Sequence, residues 1–229
     1  MNSLIWVCGL FVFSHFLFLI EYFKLKDAFA MQAQAKQKIE LYLLFIIYLF
    51  SLLGILFHSS WVFPVIFAVN YFYLILKWKG NFNGGSDNMS FVLLTGLFIA
   101  KFNENDNNGL FYIALLVTSS YVLAGWAKAK NREWWTGESL IGFLQMSPLQ
   151  KQDWQKIFLS PRQALFLSRA TLLFELSFPL ALLNYKLTII YVSLGILFHF
   201  CNFIFFGLNR FFWIWLSSYP ALLWFTSRS

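Results

Sequence analysis

Eight apolar runs, separated by short polar loops, constrain the fold of this chain more than any other feature. A helix needs about 20 apolar residues to cross a bilayer, or somewhat fewer where long charged side chains flank it. The runs therefore predict an all-α, polytopic transmembrane bundle of about eight spans: Leu4–Phe23, Glu40–Phe57, Trp61–Leu76, Ser90–Phe102, Leu110–Ala127, Ala164–Leu183, Leu187–Phe206 and Phe211–Phe225. The fourth run is short, and the Gly-rich segment NGGSDN before it favours a half-span or a re-entrant segment.

The composition supports a membrane protein. Hydrophobic residues make up 59% of the 229 residues and aromatic residues 22%, whereas only 12% are charged. Soluble domains are roughly half apolar, so this chain lies outside their range. We expect one transmembrane domain over residues 1–229, with no separate soluble domain. The net charge of +7 sits in short loops, not on one continuous face, and does not predict nucleic-acid binding.

The lysines and arginines of the loops predict an orientation, because cytoplasmic loops are enriched in both residues. Alternate loops hold thirteen of them on one side and three on the other. The three are Lys101, Lys186 and Arg228, and Arg169 lies within a span. This bias favours both termini outside and the loop after the fifth span in the cytoplasm.

The most informative stretch is Tyr121–Leu140, YVLAGWAKAKNREWWTGESL, in which an apolar segment runs into a cluster of charged residues and tryptophans. Its Lys128 follows an Ala-Gly pair suited to close helix packing, at the boundary of the apolar run. A partly dehydrated lysine there is a candidate base. Further on, the spacing of Leu140, Ile141, Phe143 and Leu144 predicts a short amphipathic helix lying in the membrane interface.

Four polar residues lie within later spans. Arg169 and Glu175 are six residues apart and so do not stack on one helix face, and each is expected to find a partner on another helix. His199 and Asn202 share a face at i, i+3. We expect Glu175, His199 and Asn202 to face one internal polar cavity together with Lys128. Structural contacts between helices are the alternative interpretation.

Three other features have simpler interpretations. Pro179 should kink the sixth span near Glu175 and free backbone carbonyls there. Asp87, which follows a turn and precedes the fourth apolar run, suits a helix N-cap. Cys8 and Cys201 both lie in apolar runs without a metal-ligand spacing, so neither a metal site nor a disulfide framework is expected.

Several blocks of the chain resemble the horizontally transferred transmembrane (HTTM) domain, which vitamin K-dependent gamma-carboxylase shares with many bacterial membrane proteins. The blocks are GGSDNMSFVLLTGLF, YVLAGWAKAKNREWWTGESL, LLFELSFPLALL and LGILFHFCNFIFFGLNRFFWIWLSSYPALL. The most specific element is a Tyr-x-x-Ala-Gly-x-x-Lys pattern followed by Trp and Gly. Its lysine falls on Lys128, with Trp134 and Gly137 after it. A Phe-His-x-x-Asn element ends on Asn202, and an acidic residue of the family falls on Glu175.

The resemblance implies an integral, multi-pass protein of the bacterial inner membrane that modifies or matures a peptide or protein substrate. In the carboxylases this lysine is regarded as the base that deprotonates vitamin K hydroquinone, so the implied cofactor is a reduced quinone and no metal. We accordingly assign Lys128 and His199 as candidate catalytic residues. The candidate cofactor-binding residues are Asn202, Glu175, Trp126, Asp87 and Asn88.

The resemblance leaves two other functions open. One is a non-enzymatic maturation or export factor for a secreted peptide, of the type that serves the sporulation-delaying toxin. Ala127, where the animal carboxylases have the first of two adjacent lysines, favours this alternative. The other is a structural scaffold in the membrane. The partners expected in every case are membrane lipids.

Overall fold

The computed structural model describes residues 3–30, 35–77, 84–146, 160–206 and 209–228, and the regular structure in these ranges is helical throughout. This confirms the prediction of an all-α fold. In chain order the α-helices are α1 (Ser3–Ala30), α2 (Ala35–Phe57), α3 (Val62–Lys77), α4 (Gly85–Phe102), α5 (Asp106–Ala129), α6 (Arg132–Thr136), α7 (Glu138–Met146), α8 (Pro161–Ser177), α9 (Tyr185–Phe206), α10 (Asn209–Leu216) and α11 (Tyr219–Thr226). A 3₁₀ helix, Phe178–Leu182, follows α8 directly.

Four helical segments of the described chain are long and apolar enough to cross a membrane. They are Ser3–Ile20, Asp106–Ala129, Pro161–Leu182 and Tyr185–Phe206. Shorter apolar helices cover Tyr42–Phe57 and Val62–Leu74. Length and composition thus support a membrane protein, whereas the predicted count of about eight spans is not confirmed.

The eighth predicted span, Phe211–Phe225, is not one continuous helix. Helices α10 and α11, of 8 residues each, are separated at Ser217 and Ser218. The hydroxyl of Ser217 donates to the carbonyl of Trp213, and that of Ser218 donates to the carbonyl of Trp215. Pro220 follows, and it has no backbone N–H with which to continue α10. The apolar pattern of the sequence gives no sign of such a break.

Contacts divide the chain into two compact units, one of residues 1–113 and 213–224 and the other of residues 114–212 and 225–229. In the first unit α1 packs on α2 and α4, and α3 packs on α2 and α4. The centre is aromatic. Phe11, Tyr48 and Phe67 are fully buried, and Tyr71 stacks on Phe67 with ring centroids 5.7 Å apart.

Two glycines allow α4 and the start of α5 to lie close together in the first unit. A Cβ atom added at Gly96 would lie 2.4 Å from the side chain of Ile113, and one added at Gly109 would lie 2.3 Å from the carbonyl oxygen of Gly96. No side chain fits at such distances. The close approach of these helices therefore depends on the two glycines.

In the second unit, the helix changes type next to Pro179, where a kink was expected. The α-helix stops at Ser177 and the chain continues as the 3₁₀ helix, which packs on α9. The hydroxyl of Thr188 in α9 donates to the carbonyl of Ala181 at 2.6 Å and lies 2.7 Å from the hydroxyl of Thr226. The polar groups exposed by the change of helix type are thereby partly satisfied within the protein.

The predicted short helix after the tryptophan cluster is present as α7, separate from the long apolar helices. Gly137 joins α6 to α7 in the left-handed conformation, at φ 87°. A Cβ atom there would lie 2.6 Å from the backbone nitrogen of Leu165, so the turn lies directly on the backbone of α8. Leu144 is buried and Phe143 is exposed, which gives α7 one inward and one outward side.

Candidate functional site

Lys128, near the end of α5, forms an ion pair with Glu175, near the end of α8. Its Nζ atom lies 2.5 Å from Oε1 and 2.7 Å from Oε2 of the carboxylate. The side chain of Glu175 is 3% exposed, whereas that of Lys128 is 22% exposed. The carboxylate is thus enclosed by protein, and the ammonium group forms the accessible side of the pair. The expectation that Glu175 would find its partner on another helix is confirmed.

One face of α5 brings this pair into position. Tyr121, Gly125 and Lys128 follow one another at spacings of four and three residues, so they lie within about 60° of one another around the helix. A Cβ atom on Gly125 would lie 2.9 Å from Cβ of Glu175 and 3.1 Å from the backbone nitrogen of Leu176. The absence of a side chain at Gly125 therefore lets α8 approach closely enough for Lys128 to reach Glu175.

The turn after α5 folds back over the ion pair. Nζ of Lys128 lies 5.3 Å from the ring centroid of Trp134, within the range of a cation–π interaction. The hydroxyl of Ser168 on α8 donates to the carbonyl of Trp134, and Nε of Arg169 donates to the carbonyl of Trp135 at 3.1 Å. Arg169 thus also bonds outside its own helix, as expected. These bonds hold the tryptophan ring beside the ammonium group.

His199 lies on α9 and is bonded to the same face of α5. Its Nε2 atom lies 2.7 Å from the hydroxyl oxygen of Tyr121, and both residues are buried. The ring of Tyr121 stacks on Phe178, with centroids 3.8 Å apart and planes at 15°, and meets Phe174 edge to face at 5.4 Å. Two polar contacts, Lys128 with Glu175 and Tyr121 with His199, therefore extend from one helix face.

Two other candidate residues of this unit lie outside these contacts. Asn202 is half-buried one turn beyond His199, and within the described residues its side chain makes no hydrogen bond to Lys128, Glu175 or His199. Trp126 is 57% exposed, and the ammonium group of Lys130 lies 5.2 Å from its ring centroid. The assignment of Asn202 and Trp126 to cofactor binding stays a prediction.

Asp87 and Asn88 lie in the first unit, in the first turn of α4. The N-cap of α4 is Gly84, without a side-chain cap bond, so the prediction of Asp87 as an N-cap is wrong. Oδ1 of Asp87 instead accepts a hydrogen bond from the hydroxyl of Tyr71 at 2.6 Å, which ties α4 to α3. Asn88 is exposed. Asp87 thus accepts its hydrogen bond from a buried phenol, a donor that the local sequence does not reveal.

Tyr121 and Tyr71 are the polar residues that the sequence analysis left without a role. The signal for Tyr121 was present, because its spacing from Gly125 and Lys128 places all three on one helix face. Tyr71 carries no comparable signal, since it belongs to a long apolar run with several aromatic residues. The thiols of Cys8 and Cys201 are free in the described structure, the first buried and the second half-buried.

Comparisons of the chain with protein-family models, with curated proteins and with solved structures find no match.

Proposed function

We propose that this chain is an integral membrane protein that modifies or matures a peptide or protein substrate, with Lys128 as its reactive group and a reduced membrane quinone as its cofactor. The observation that carries the proposal is the Lys128–Glu175 pair, in which a buried carboxylate holds an accessible lysine at the boundary of a long apolar helix. The resemblance of this stretch to the gamma-carboxylases supplies the reaction class.

The ion pair bears on how Lys128 could act as a base. An ammonium group has no lone pair, so its proton must leave before Nζ can accept another. Glu175 is the acceptor within reach, through either oxygen. Transfer of one proton from Nζ to the carboxylate converts the ion pair into an amine and a carboxylic acid. Both forms of the pair have no net charge, and low polarity around them favours the uncharged groups.

The residues around Lys128 fit a quinone in chemical type. After two hydrogen bonds to Glu175, Nζ retains one N–H for a ring oxygen of a ligand. The ring of Trp134 adds aromatic surface beside Nζ. When bound, a reduced quinone would supply the reducing equivalents for oxygen-dependent carboxylation of a glutamate side chain. Lys128 would hold or remove the proton of a quinol oxygen, and Glu175 would take up the proton that Lys128 releases.

A non-enzymatic maturation factor is the second candidate. The ion pair also satisfies both charges internally and joins α5 to α8, as a purely structural contact would. In that case the substrate peptide would bind elsewhere on the protein, and no quinone would be required.

The test combines a binding measurement with a labelling measurement. The protein is purified in bilayer discs, its quinone content is quantified by mass spectrometry, and cells expressing it are supplied with radiolabelled bicarbonate. The proposal predicts a quinone at close to one per protein and label in the glutamate residues of a cellular protein. Absence of both, with the protein folded, would contradict the enzymatic proposal and favour the maturation factor.

Two lysine variants make the test specific. Lys128→Arg keeps a cation that can form two hydrogen bonds with Glu175, but arginine does not release its proton in proteins. We expect Lys128→Arg to insert and fold yet to abolish labelling. Lys130→Arg is the matched control, since Lys130 is exposed and lies over the exposed ring of Trp126. Full labelling in Lys128→Arg would remove the base assignment.

A further inference from the structure

The contact between Tyr121 and His199 joins two buried polar groups inside the second unit. Their atoms, the hydroxyl oxygen and Nε2, are 2.7 Å apart, and each residue is 2% exposed. A lone hydrogen bond between two packed helices would need no particular chemistry. Here, however, Tyr121 lies two turns before Lys128, on the face of α5 that carries the ion pair.

The ring of Tyr121 is held by aromatic packing and not by its hydroxyl. Phe178 stacks on one side at 3.8 Å, and Phe174 contacts the ring edge to face at 5.4 Å. The 3₁₀ helix after α8 carries Phe178, so the break at Pro179 contributes to this packing. A phenylalanine at position 121 would keep these contacts and lose only the hydroxyl. The hydroxyl can therefore be removed with little disturbance of the packing.

The hydroxyl bonded to Nε2 decides which ring nitrogen of His199 carries the proton. A neutral histidine has one protonated nitrogen and one nitrogen with a lone pair, and the partner of one nitrogen decides which form is stable. A phenol is a stronger hydrogen-bond donor than acceptor, whereas the unprotonated imidazole nitrogen is a strong acceptor. On this ground the hydroxyl of Tyr121 is assigned as the donor to Nε2, which places the proton of His199 on Nδ1.

We propose that Tyr121 is a positioning residue, whose hydroxyl fixes the Nδ1–H tautomer and the ring orientation of His199 on the face of α5 that also carries Lys128. This inference rests on the proposed function for its effect on activity, but the tautomer itself is independent of it. His199 then presents a fixed donor, while the lone pair at Nε2 is occupied by Tyr121. The chemical role of His199 is accordingly to donate a hydrogen bond through Nδ1 and not to accept a proton at Nε2.

The direct test is nitrogen NMR of ¹⁵N-histidine-labelled protein in bilayer discs. The chain has only three histidines, so His199→Gln identifies the signals of His199. The wild type should show a protonated Nδ1 and a hydrogen-bonded, unprotonated Nε2 for this residue. Tyr121→Phe should shift the Nε2 signal or produce a mixture of tautomers, and Tyr185→Phe, an exposed tyrosine of the same unit, should leave the signals unchanged. A His199 signature that is identical in Tyr121→Phe and the wild type would overturn the proposal.

A second measurement addresses the consequence for activity. At matched protein levels, Tyr121→Phe should lower bicarbonate labelling on the order of tenfold or more, because misplacement of a reacting group is costly. Full labelling in Tyr121→Phe, with none in Lys128→Arg, would show that the tyrosine does not position the site. If the wild type itself gives no labelling, the proposed function fails, and the NMR measurement alone decides whether Tyr121 fixes the tautomer.

Discussion

Both carboxylate oxygens of Glu175 accept hydrogen bonds from one atom, Nζ of Lys128, at 2.5 and 2.7 Å. The two residues are 47 positions apart in the chain and lie on different helices. The pair is asymmetric, because the acid is enclosed and the base is accessible from one side. A change at either residue should therefore affect the stability of the helix contact, and the two changes should not be additive.

Glu175→Gln should destabilise the protein, because it leaves an ammonium group without its counter-charge. Breaking a buried pair at one side costs about 3–5 kcal/mol, and the partial exposure of Lys128 places the expected loss at about 2 kcal/mol. The double variant Lys128→Gln/Glu175→Gln should be more stable than Glu175→Gln alone. Unfolding in mixed detergent micelles measures the free energy of unfolding of the wild type and of both variants. Glu138→Gln, at an exposed acid of α7, is the control and should be neutral. Equal losses in the single and double variants would argue against a coupled pair.

Gly125→Ala should separate α5 from α8. The added Cβ would lie 2.9 Å from Cβ of Glu175, where no relaxed contact exists. We expect a loss of about 1–3 kcal/mol, as for other overpacked contacts. Gly142→Ala is the matched control, because a Cβ atom there would come within 4 Å of no described atom beyond its chain neighbours and its own helix backbone. Thermal unfolding of the two variants in the same detergent makes the comparison, and unchanged stability in Gly125→Ala would mean that the helices are not in close contact.

Gly137→Ala should displace the turn between α6 and α7 from α8. An L-residue at φ 87° is strained by about 1–2 kcal/mol, and its Cβ would also meet the backbone of Leu165 at 2.6 Å. Hydrogen exchange should become faster in α6 and α7, while α9 should keep its protection. Gly142→Ala again serves as the control. Exchange that is unchanged across α6 and α7 would contradict the observed packing of this turn.

Tyr71→Phe should weaken the contact between α3 and α4. The hydroxyl of Tyr71 bonds to the buried carboxylate of Asp87 at 2.6 Å, and a hydrogen bond to a charged group contributes about 1.5–3 kcal/mol. Tyr42→Phe, at an exposed tyrosine of α2, should be silent. The midpoint temperatures of thermal unfolding of Tyr71→Phe and Tyr42→Phe make the comparison. If Asp87→Asn and Tyr71→Phe each leave the stability of the protein unchanged, the hydrogen bond has no structural role.

The helical class of the fold could be predicted from the apolar runs, because a bilayer and a packed bundle both require helices of this composition. The placement of Glu175 against a residue of another helix followed from the cost of an isolated charge in a membrane. That partner was Lys128, which was expected beside it. The break between α10 and α11 was missed, since two serine hydroxyls and Pro220 produce it without interrupting the apolar pattern.

The contacts of Tyr121 and Asp87 were missed for a different reason. Each depends on which helices become neighbours, and the periodicity of a single helix gives no information on that point. Tyr121 needs α9 beside α5 to meet His199, and Asp87 needs α3 beside α4 to meet Tyr71. The local turn signal at Asp87 favoured a cap, and the tertiary partner overrode it.

The separation of Lys128 and Glu175 along the chain also has a consequence for biogenesis. Helix α5 leaves the ribosome before α8, so Lys128 is synthesised before its counter-charge. A charged residue costs about 2.5–3.5 kcal/mol at the centre of an inserting helix and less at its ends, where Lys128 lies, and the Pro161–Leu182 segment has the lowest mean hydropathy of the four candidate spans, 1.5. We therefore expect a nascent chain interrupted before α8 to leave Lys128 without its counter-charge, and the contact between α5 and α8 to form only after α8 is made.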